Sequence, residues 1–497
     1  MTLAVDKTRI DDVVGSLSRK LLINGEWVDA ASGRTFETLN PASEEVLASV
    51  AHGEAEDVDR AVRAARAAFE EGAPWRRMPH GERGKIIHRL GDLVLEHLEE
   101  FALLESLDNG KPYWAAQAVD VPLAADLLHY MSGWATKIEG STIPTSGLDP
   151  TQYLSFTLKE PVGVCAQIIP WNIPLLMAAW KIGPALAAGC TTVLKTAEQT
   201  PLSALLLGEL AMRAGVPAGV FNIVTGFGDA GAALAAHPDV DKVTFTGSTE
   251  VGRKIVKAAA GSNLKKVSLE LGGKSPNVIF ADADIDKAIA DSANAVFFNQ
   301  GESCVAGSRV YVEESVYDEV VAGIAAQARS IKVGDGLDPG TVMGPLISQV
   351  QFERVNGYIR SGRDEGAIVH GGDRVGDRGY FVAPTVLAGT REDMTAVREE
   401  IFGPVVAVAP FSAESDIVPT ANNTNYGLGA GVFTRDISKA YRTARRLRAG
   451  TVWVNTWNVF DAALPFGGYK ESGWGREMGG AVFDSYLETK TVITDLG

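Results

Sequence analysis

The first candidate for chemistry is Cys304, which lies in the segment FFNQGESCVAGSR and is one of three cysteines in the chain. A free cysteine is most often a small buried hydrophobic residue, but a thiol with oxyanion donors or a base nearby is a nucleophile. No histidine lies near Cys304 in the sequence. A hydrolase built on a Cys–His pair is therefore unsupported, although the fold could still bring a histidine close.

Two further polar residues lie in segments that would hold them rigidly. Glu270, in LELGGKSP, stands in an apolar, glycine-rich stretch, where burial would raise the pKa of its carboxyl toward that of a general base. Asn172, in PWNIP, lies in a loop bounded by prolines, and an amide held there could donate to a developing oxyanion. The alternatives are an exposed acid and an ordinary asparagine, each in a turn.

Three segments are candidates for holding a dinucleotide. GFGDAG, residues 226–231, matches G-x-G-x-x-G but lacks a clear acid about 20 residues later. TGSTEVG, residues 246–252, is an equally good helix start for an anion. In VLKTAEQTP, Lys195 and Glu198 follow a buried strand, where a carboxylate can accept hydrogen bonds from ribose hydroxyls and repel a 2′-phosphate. The alternative for this Lys–Glu pair is a surface ion pair.

The elements that must position these residues alternate along the chain. From Gly163, apolar strands such as GVCAQIIP and TTVLK alternate with helical segments, which predicts a doubly wound parallel sheet with helices on both faces. A second alternation begins near KVSLELGG and SPNVIF and continues through VVAVAPF, GLGAGVFT and TVWVN, which predicts a second α/β unit. Before the first sheet, LLINGEWVDA and TFETLNP predict hairpin strands, and residues 57–71 and 82–108 predict helices. Two outlying strands, YLSFTLKE and SYLETKTVITDL, could pair with each other or across subunits.

Composition limits the class of protein. A chain of 497 residues predicts two or three domains, and a net charge of −16 opposes binding to nucleic acid or to anionic lipid. No apolar run reaches about 18 residues, which predicts no transmembrane helix. The segment MTLAVDKTRIDDVVGSL lacks the pattern of a secretory signal, and three cysteines without paired spacing oppose both a disulfide framework and structural zinc. The sequence therefore predicts a cytoplasmic protein without a metal.

Seven segments occur in an order that is far more specific than any one of them. They are PWNIPLLMAAWKIGPALAAG, LKTAEQTP, FTGSTEVG, LELGGKSP, FFNQGESCVAGSR, EEIFGPV and PFGGYKESGWGRE. Together they resemble the NAD(P)-dependent aldehyde dehydrogenase superfamily, and the resemblance covers essentially the whole chain.

This resemblance implies an α/β, aldehyde dehydrogenase-like fold with three parts. Residues 1–139 and 161–271 would form a Rossmann-like, parallel-sheet NAD-binding domain, and residues 272–473 an α/β catalytic domain. Residues 140–160 and 474–497 would form a small β oligomerisation element. A homodimer or homotetramer is implied as well.

The resemblance also implies roles for five catalytic residues. Cys304 matches the nucleophile, which attacks the aldehyde to give a thiohemiacetal and then a thioester. Asn172 and the Cys304 backbone N–H match the oxyanion donors. Glu270 matches the base that activates water for hydrolysis, and Lys181 and Glu477 match a pair that relays protons from it. Glu270 also argues against the branch of the family that forms acyl-CoA.

The cofactor implied is NAD, with NADP less favoured because Glu198 would repel a 2′-phosphate. GFGDAG is only peripheral in this family. The residues that match cofactor contacts are Ile168, Pro170, Trp171, Lys195, Glu198, Gly247, Ser248, Glu400 and Phe402.

The substrate implied is an uncharged aldehyde with an aromatic or medium-chain aliphatic tail, since most of the matching tunnel positions are apolar. These positions are Ile173, Met177, Trp180, Phe298, Ser303, Val305, Trp457, Phe460 and Phe466. The segment NVFDAALPFGGYKESGWGREMG looks most like phenylacetaldehyde-type enzymes. Ile173 and Phe466 replace the Tyr and Trp of the aromatic box in betaine-aldehyde enzymes, so that alternative has an incomplete box.

Two alternatives from other classes stay open. One is a non-catalytic relative that keeps the fold as a binding or structural protein, which loss of Cys304 or Glu270 would have favoured. The other is a cysteine hydrolase or esterase that uses the same thiol, in which the candidate nucleotide-binding loops would have no function.

Overall fold

The structure is a computed structural model that describes residues 7–497. The predicted absence of a secretory signal concerns residues 1–17, of which the first six lie outside the described residues. The helices are α1 Lys7–Ser16, α2 Ala55–Phe69, α3 Pro74–Arg77, α4 His80–Glu96, α5 Leu98–Asp108, α6 Tyr113–Ala115, α7 Val121–Ser132, α8 Pro174–Ala188, α9 Leu202–Ala214, α10 Gly228–Ala236, α11 Thr249–Gly261, α12 Ile285–Phe297, α13 Tyr317–Ser330, α14 Gln349–Asp364, α15 Thr395–Arg398, α16 Ile417–Ala421, α17 Ile437–Ala444 and α18 Phe483–Tyr486.

The strands fall into two large sheets and two hairpin-like pairs. In chain order they are β1 Leu21–Ile23, β2 Glu26–Val28, β3 Thr35–Leu39, β4 Val46–Ala51, β5 Tyr153–Pro161, β6 Val164–Ile168, β7 Thr191–Lys195, β8 Phe221–Val224, β9 Lys242–Thr246, β10 Lys266–Glu270, β11 Pro276–Ile279, β12 Arg309–Glu313, β13 Ile368–His370, β14 Thr385–Ala388, β15 Val405–Phe411, β16 Gly429–Phe433, β17 Thr451–Val454, β18 Gly473–Trp474 and β19 Leu487–Asp495.

The first sheet has the order β18-β10-β9-β6-β7-β8-β1-β2. Strands β10, β9, β6, β7 and β8 are parallel, and their buried, apolar sequences are typical of strands covered by helices on both faces. The other three strands run antiparallel at the edges. The predicted β1–β2 hairpin turns at Asn24 and Gly25, which both have the positive φ that a tight Asn-Gly turn requires.

The second sheet has the order β13-β14-β15-β12-β11-β16-β17 and is parallel except for β13. It confirms the predicted second α/β unit, with one correction. KVSLELGG does not begin that unit, because β10 pairs with β9 in the first sheet. The chain crosses to the second sheet only after Glu270, through the glycines that follow it.

The two outlying strands pair with each other. β5 and β19 form an antiparallel ribbon in which Tyr153 lies opposite Asp495 and Pro161 opposite Leu487. Leu154, Leu158 and Ile493 are exposed on this ribbon. The division into three parts, with its residue boundaries, stays a prediction.

The helices predicted before the sheets are present. α2 buries Val58, Ala61, Val62 and Ala65, as its amphipathic pattern indicates, while residues 82–108 form two helices, α4 and α5, rather than one. Within residues 7–497, no helix is long and apolar enough to cross a membrane.

Candidate active site

The candidate site lies at one edge of the first sheet. β6, β7, β9 and β10 are parallel and end at Ile168, Lys195, Thr246 and Glu270, so the segments after them leave from the same edge. In the sheet, β7 and β8 lie on one side of β6, and β9 and β10 lie on the other side. This reversal of strand order is where open α/β sheets bind ligands.

Several predicted cofactor residues surround this edge. Pro170 and Trp171 follow β6, and the Trp171 ring lies 5.2 Å from that of Phe402, at 83°. Lys195 is buried, with its ammonium 3.5 Å from the Glu198 carboxylate, so it is not part of an exposed ion pair. Burial lowers the pKa of Lys195, because removal from water disfavours the charged form.

The two glycine loops start helices at the same edge. Gly247 donates its backbone N–H to the carbonyl of Glu270, and Ser248 caps α11 by accepting a hydrogen bond from Val251 N at 3.3 Å. The remaining N–H groups of that helix start are suited to an anion. In the GFGDAG loop, Gly231 lies on α10 against Ile168, where an added methyl group would be 3.7 Å from the Ile168 side chain.

Glu270 is buried at the end of β10, and not an exposed turn acid. Its Oε2 has no hydrogen-bond partner among the described residues. Burial raises the pKa of this carboxyl well above its usual range, and the nearby Glu477 carboxylate raises it further. A carboxyl held in this way keeps its proton at a higher pH than an exposed one.

A buried ion pair lies beside Glu270. The Lys181 ammonium donates to Glu477 Oε1 at 2.8 Å, and the Thr244 hydroxyl donates to the same oxygen at 3.1 Å. Lys181 belongs to α8, whose whole length is buried, and the pairing explains why a lysine is tolerated there. The Glu477 backbone also pairs with Phe466.

Cys304 follows a sharply turned loop. After α12, the residues Asn299, Gln300 and Gly301 all have φ between 51° and 69°, in the left-handed region. A methyl group on Gly301 would lie 2.1 Å from the Gly403 carbonyl oxygen, so only glycine lets this loop approach the EEIFGPV segment.

The glycines after Glu270 bring the two sheets together. A methyl group on Gly272 would lie 2.2 Å from the Glu400 carboxylate, and one on Gly273 would lie 2.2 Å from the Cys304 carbonyl oxygen. The Gly273 N–H donates to Glu400 Oε1 at 2.8 Å. Backbone without side chains therefore connects Glu270, Glu400 and Cys304 at close range.

The surroundings of the Cys304 thiol oppose its ionisation. Burial raises its pKa to about 12, and the neighbouring carboxylates of Glu270 and Glu400 act in the same direction. The backbone amides of Cys304 and Val305 oppose this shift, but less strongly. These surroundings favour the neutral thiol at neutral pH.

Asn172 is fixed by a set of amide contacts. Its Nδ2 donates to the Glu302 carbonyl at 3.0 Å, which ties the PWNIP loop to the Cys304 loop. The Asn172 carbonyl accepts from Asn299 Nδ2 at 3.1 Å and from Asn109 Nδ2 at 3.3 Å.

Most of the predicted tunnel residues pack together. One apolar cluster that reaches the Cys304 side chain contains Ile173, Met177, Trp180, Val305, Trp457, Phe460 and Phe466. The Phe466 ring lies 5.1 Å from the Trp180 ring and 5.9 Å from the Phe460 ring. Phe298 and Ser303 are half-buried in the loop that leads to Cys304.

Three residues of this region were not among the sequence predictions. Trp453 lies 5.1 Å from Trp457 and 5.7 Å from Phe460, ring to ring. Glu302 is fully buried, which raises the pKa of its carboxyl well above its usual range. Burial also lowers the pKa of Lys274 to about 7. Lys274 and Glu302 lie in the quoted motifs, but only burial distinguishes them from surface charges.

Comparison with known proteins agrees with this geometry. Residues 27–492 match the model of the aldehyde dehydrogenase family. Aldehyde dehydrogenase family 2 member B4, mitochondrial, of Arabidopsis thaliana is 55% identical over 479 residues, which cover 96% of this chain and 88% of that protein. Benzaldehyde dehydrogenase, mitochondrial, of Antirrhinum majus is 54% identical, over 96% of this chain and 89% of that protein.

A solved structure has the same fold throughout. The NAD⁺ complex of aldehyde dehydrogenase from Bacillus cereus superposes with a TM-score of 0.96 at 50% identity, covering 99% of this chain and 100% of that chain. This similarity confirms the predicted α/β aldehyde dehydrogenase-like fold. The chain therefore belongs to the aldehyde dehydrogenase family and is an oxidoreductase that acts on aldehydes.

Proposed function

We propose that the protein oxidises an aromatic or medium-chain aliphatic aldehyde to the carboxylic acid, with NAD as the hydride acceptor. The observation that carries the proposal is the meeting of Cys304, Glu270 and Glu400 through Gly272 and Gly273 at the ligand-binding edge of the first sheet. A nucleophile and a base lie there beside the segments that suit a dinucleotide.

Cys304 acts in the first half of the reaction, the oxidation of the aldehyde to a thioester. The pKa of about 12 keeps the Cys304 thiol protonated beforehand, so its proton passes to the Glu270 carboxylate, directly or through a water, as the sulfur attacks the aldehyde carbon. The Asn172 amide, whose loop is held by Asn109 and Asn299, and the Cys304 backbone N–H stabilise the oxyanion. Loss of hydride from the thiohemiacetal leaves a thioester on Cys304.

Glu270 acts in the second half of the reaction, the hydrolysis of the thioester. Its carboxyl, with one oxygen free of protein partners, takes a proton from the water that attacks the thioester. The raised pKa makes its carboxylate a stronger base than an exposed glutamate. The Lys181–Glu477 pair and Thr244 then offer hydrogen-bonding groups through which that proton leaves the site.

The residues at the sheet edge fit a dinucleotide. Lys195 and Glu198 would bind the adenosine ribose, and Gly247 and Ser248 at the start of α11 would bind the pyrophosphate. The nicotinamide end would lie near Glu400 and the Trp171–Phe402 ring pair, with Ile168 and Pro170 lining the cleft. Bound there, NAD supplies the acceptor for the hydride. Glu198 favours NAD over NADP, because its carboxylate would repel a 2′-phosphate.

Aromatic packing supports the substrate class. Trp180, Phe460 and Phe466 present ring faces in the cluster that reaches Cys304, and such a surface suits a planar or extended apolar tail. The benzaldehyde dehydrogenase relative, at 54% identity, supports the aromatic choice. Met177 and Trp457 complete the apolar lining.

The proposal includes a homotetramer or homodimer in the cytoplasm. The exposed apolar residues of the β5–β19 ribbon, among them Leu158 and Ile493, support assembly through that ribbon. The three free cysteines, Cys165, Cys190 and Cys304, suit a reducing compartment such as the cytoplasm.

The test is initial-rate NADH formation by purified protein with phenylacetaldehyde, benzaldehyde, hexanal, acetaldehyde and betaine aldehyde. Each aldehyde is run with NAD and with NADP, beside a Cys304→Ala control and a Glu198→Gln variant. We expect phenylacetaldehyde, benzaldehyde or hexanal to rank first, no turnover without Cys304, and weaker discrimination against NADP in Glu198→Gln. A first rank for betaine aldehyde would favour the cation-binding alternative, and no turnover with any aldehyde would refute the proposal.

A further inference from the structure

A second group of chemically active side chains lies between helices α4 and α7. Two glycines let the helices approach: a methyl group on Gly84 would lie 2.8 Å from the Ser132 carbonyl oxygen, and one on Gly91 would lie 2.6 Å from His129 Nε2. The missing side chain at Gly91 leaves the space that the His129 ring occupies.

Three potential metal ligands meet at this crossing. His88 and Asp92 are one turn apart on α4, and His129 faces them from α7. Asp92 Oδ1 lies 3.1 Å from His129 Nε2 and 3.9 Å from His88 Nε2, and all three ligand atoms lie within 4.8 Å of one another. Ligand atoms around a tetrahedral zinc ion are about 3.4 Å apart, given bonds of about 2.0–2.1 Å.

The orientation of the His88 ring also suits a metal. Ser132 Oγ donates to the His129 carbonyl at 2.6 Å, so a lone pair of that oxygen faces His88 Nδ1 at 3.5 Å. The proton of a neutral His88 ring is then favoured on Nδ1, which leaves a lone pair on Nε2, the nitrogen 3.9 Å from Asp92 Oδ1. Support of this kind for the second ring nitrogen is typical of metal-bound histidines.

The two cations beside the cluster are paired with carboxylates other than Asp92. Lys85 and Arg89 line the same open pocket of about 370 Å³, but each is paired with a carboxylate on α4. The Lys85 ammonium lies 2.8 Å from Glu82, and the Arg89 guanidinium lies 2.6 Å from Glu96. The side chain of Asp92, 41% exposed, remains the acid that serves the two histidines.

We propose that His88, Asp92 and His129 bind one divalent transition-metal ion, with Zn²⁺ as the reference ion. Two imidazoles and one carboxylate suit zinc, copper or nickel and do not suit calcium or magnesium, which prefer oxygen ligands alone. The ion would join α4 to α7 and keep a coordination position open to solvent. Cysteine spacing in the sequence indicates no metal, whereas these three ligands come from two helices that only the fold brings together.

The test is a calorimetric titration with ZnCl₂ of protein dialysed against a chelator. A Cys304→Ser background is used so that the active-site thiol does not bind zinc. We expect one zinc ion per chain and a rise in melting temperature on its addition. His88→Gln and His129→Gln should each weaken binding at least tenfold and abolish the melting-temperature rise.

Two further variants separate ligation from unspecific binding. His80→Gln removes an exposed histidine at the start of the same helix and should leave zinc affinity unchanged. Gly91→Ala keeps all three ligands but displaces the His129 ring, and should weaken binding as His129→Gln does. Turnover of each substitution in the chain with Cys304 intact checks that the protein is folded. No zinc binding, or binding that His88→Gln and His129→Gln leave unchanged, would overturn the proposal.

Discussion

The thiol of Cys304 offers a direct test of the electrostatics of the site. Burial and the carboxylates of Glu270 and Glu400 raise its pKa to about 12, compared with 9.0 for an ordinary thiol. At any pH below both values, the thiolate fraction is therefore about 1,000-fold smaller than for an ordinary cysteine. Because only the thiolate reacts with iodoacetamide, alkylation of the ligand-free protein should be slow at pH 7.5 and rise about tenfold with each pH unit.

The assay measures alkylation of Cys304 by mass spectrometry between pH 6 and about pH 10, with N-acetylcysteine as the reference thiol. Cys165 and Cys190, which are completely buried, serve as internal controls and should stay unmodified while the protein is folded. A Cys304→Ser protein controls for reaction elsewhere.

The shape of the profile separates the electrostatic cause from poor access. Partial burial of Cys304 scales the whole rate profile down but leaves its midpoint unchanged, whereas a raised pKa moves the midpoint to higher pH. The thiol is neutral below its pKa, so the rate must keep rising about tenfold with each unit up to about pH 10. A profile that levels off near pH 9, as that of an ordinary thiol does, would refute the reasoning, since it would mean that amide donors offset burial and the two carboxylates.

Three further outcomes follow from the site. Glu270→Gln should keep a first-turnover burst of NADH but lower steady-state turnover about 10²–10⁴-fold, as rapid-mixing kinetics would show; an unchanged steady state would exclude Glu270 as the base. Lys181→Met leaves Glu477 buried without its partner and should lower the free energy of unfolding by about 3–5 kcal/mol in urea titrations, with Lys181→Met/Glu477→Gln less affected; equal losses would argue against the pair. Gly273→Ala would place a methyl group 2.2 Å from the Cys304 carbonyl oxygen, which should displace the Cys304 loop and lower kcat at least tenfold. A kcat equal to that of the wild type would show that the Cys304 loop can move aside without loss of activity.

The sequence predicts the architecture well, because parallel strands buried on both faces have recognisable apolar runs. β6, β7 and β9 lie where the alternation indicates. The prediction that KVSLELGG begins the second unit was wrong, because the sequence of a strand does not show which of two sheets the strand joins. That choice depends on pairing with Thr246 and its neighbours, which is long-range.

The candidate site was predictable as a set of motifs but not as an arrangement. Motif order predicts Cys304 and Glu270 as site residues, whereas the pKa of the Cys304 thiol depends on burial and on carboxylates brought from other segments. The same limit applies to His88 and His129, whose proximity arises only where α4 crosses α7.

The late position of Glu477 has a consequence for biosynthesis. Its pairing with Lys181 and the strand β18 beside Glu270 both come from the last part of the chain, and Cys304 leaves the ribosome long before either. Until those residues arrive, Glu270 has no β18 neighbour and the buried Lys181 ammonium has no ion-pair partner. A chain that ends before Gly473 should therefore fold less stably than the full chain, because it leaves a lysine buried without its counter-ion.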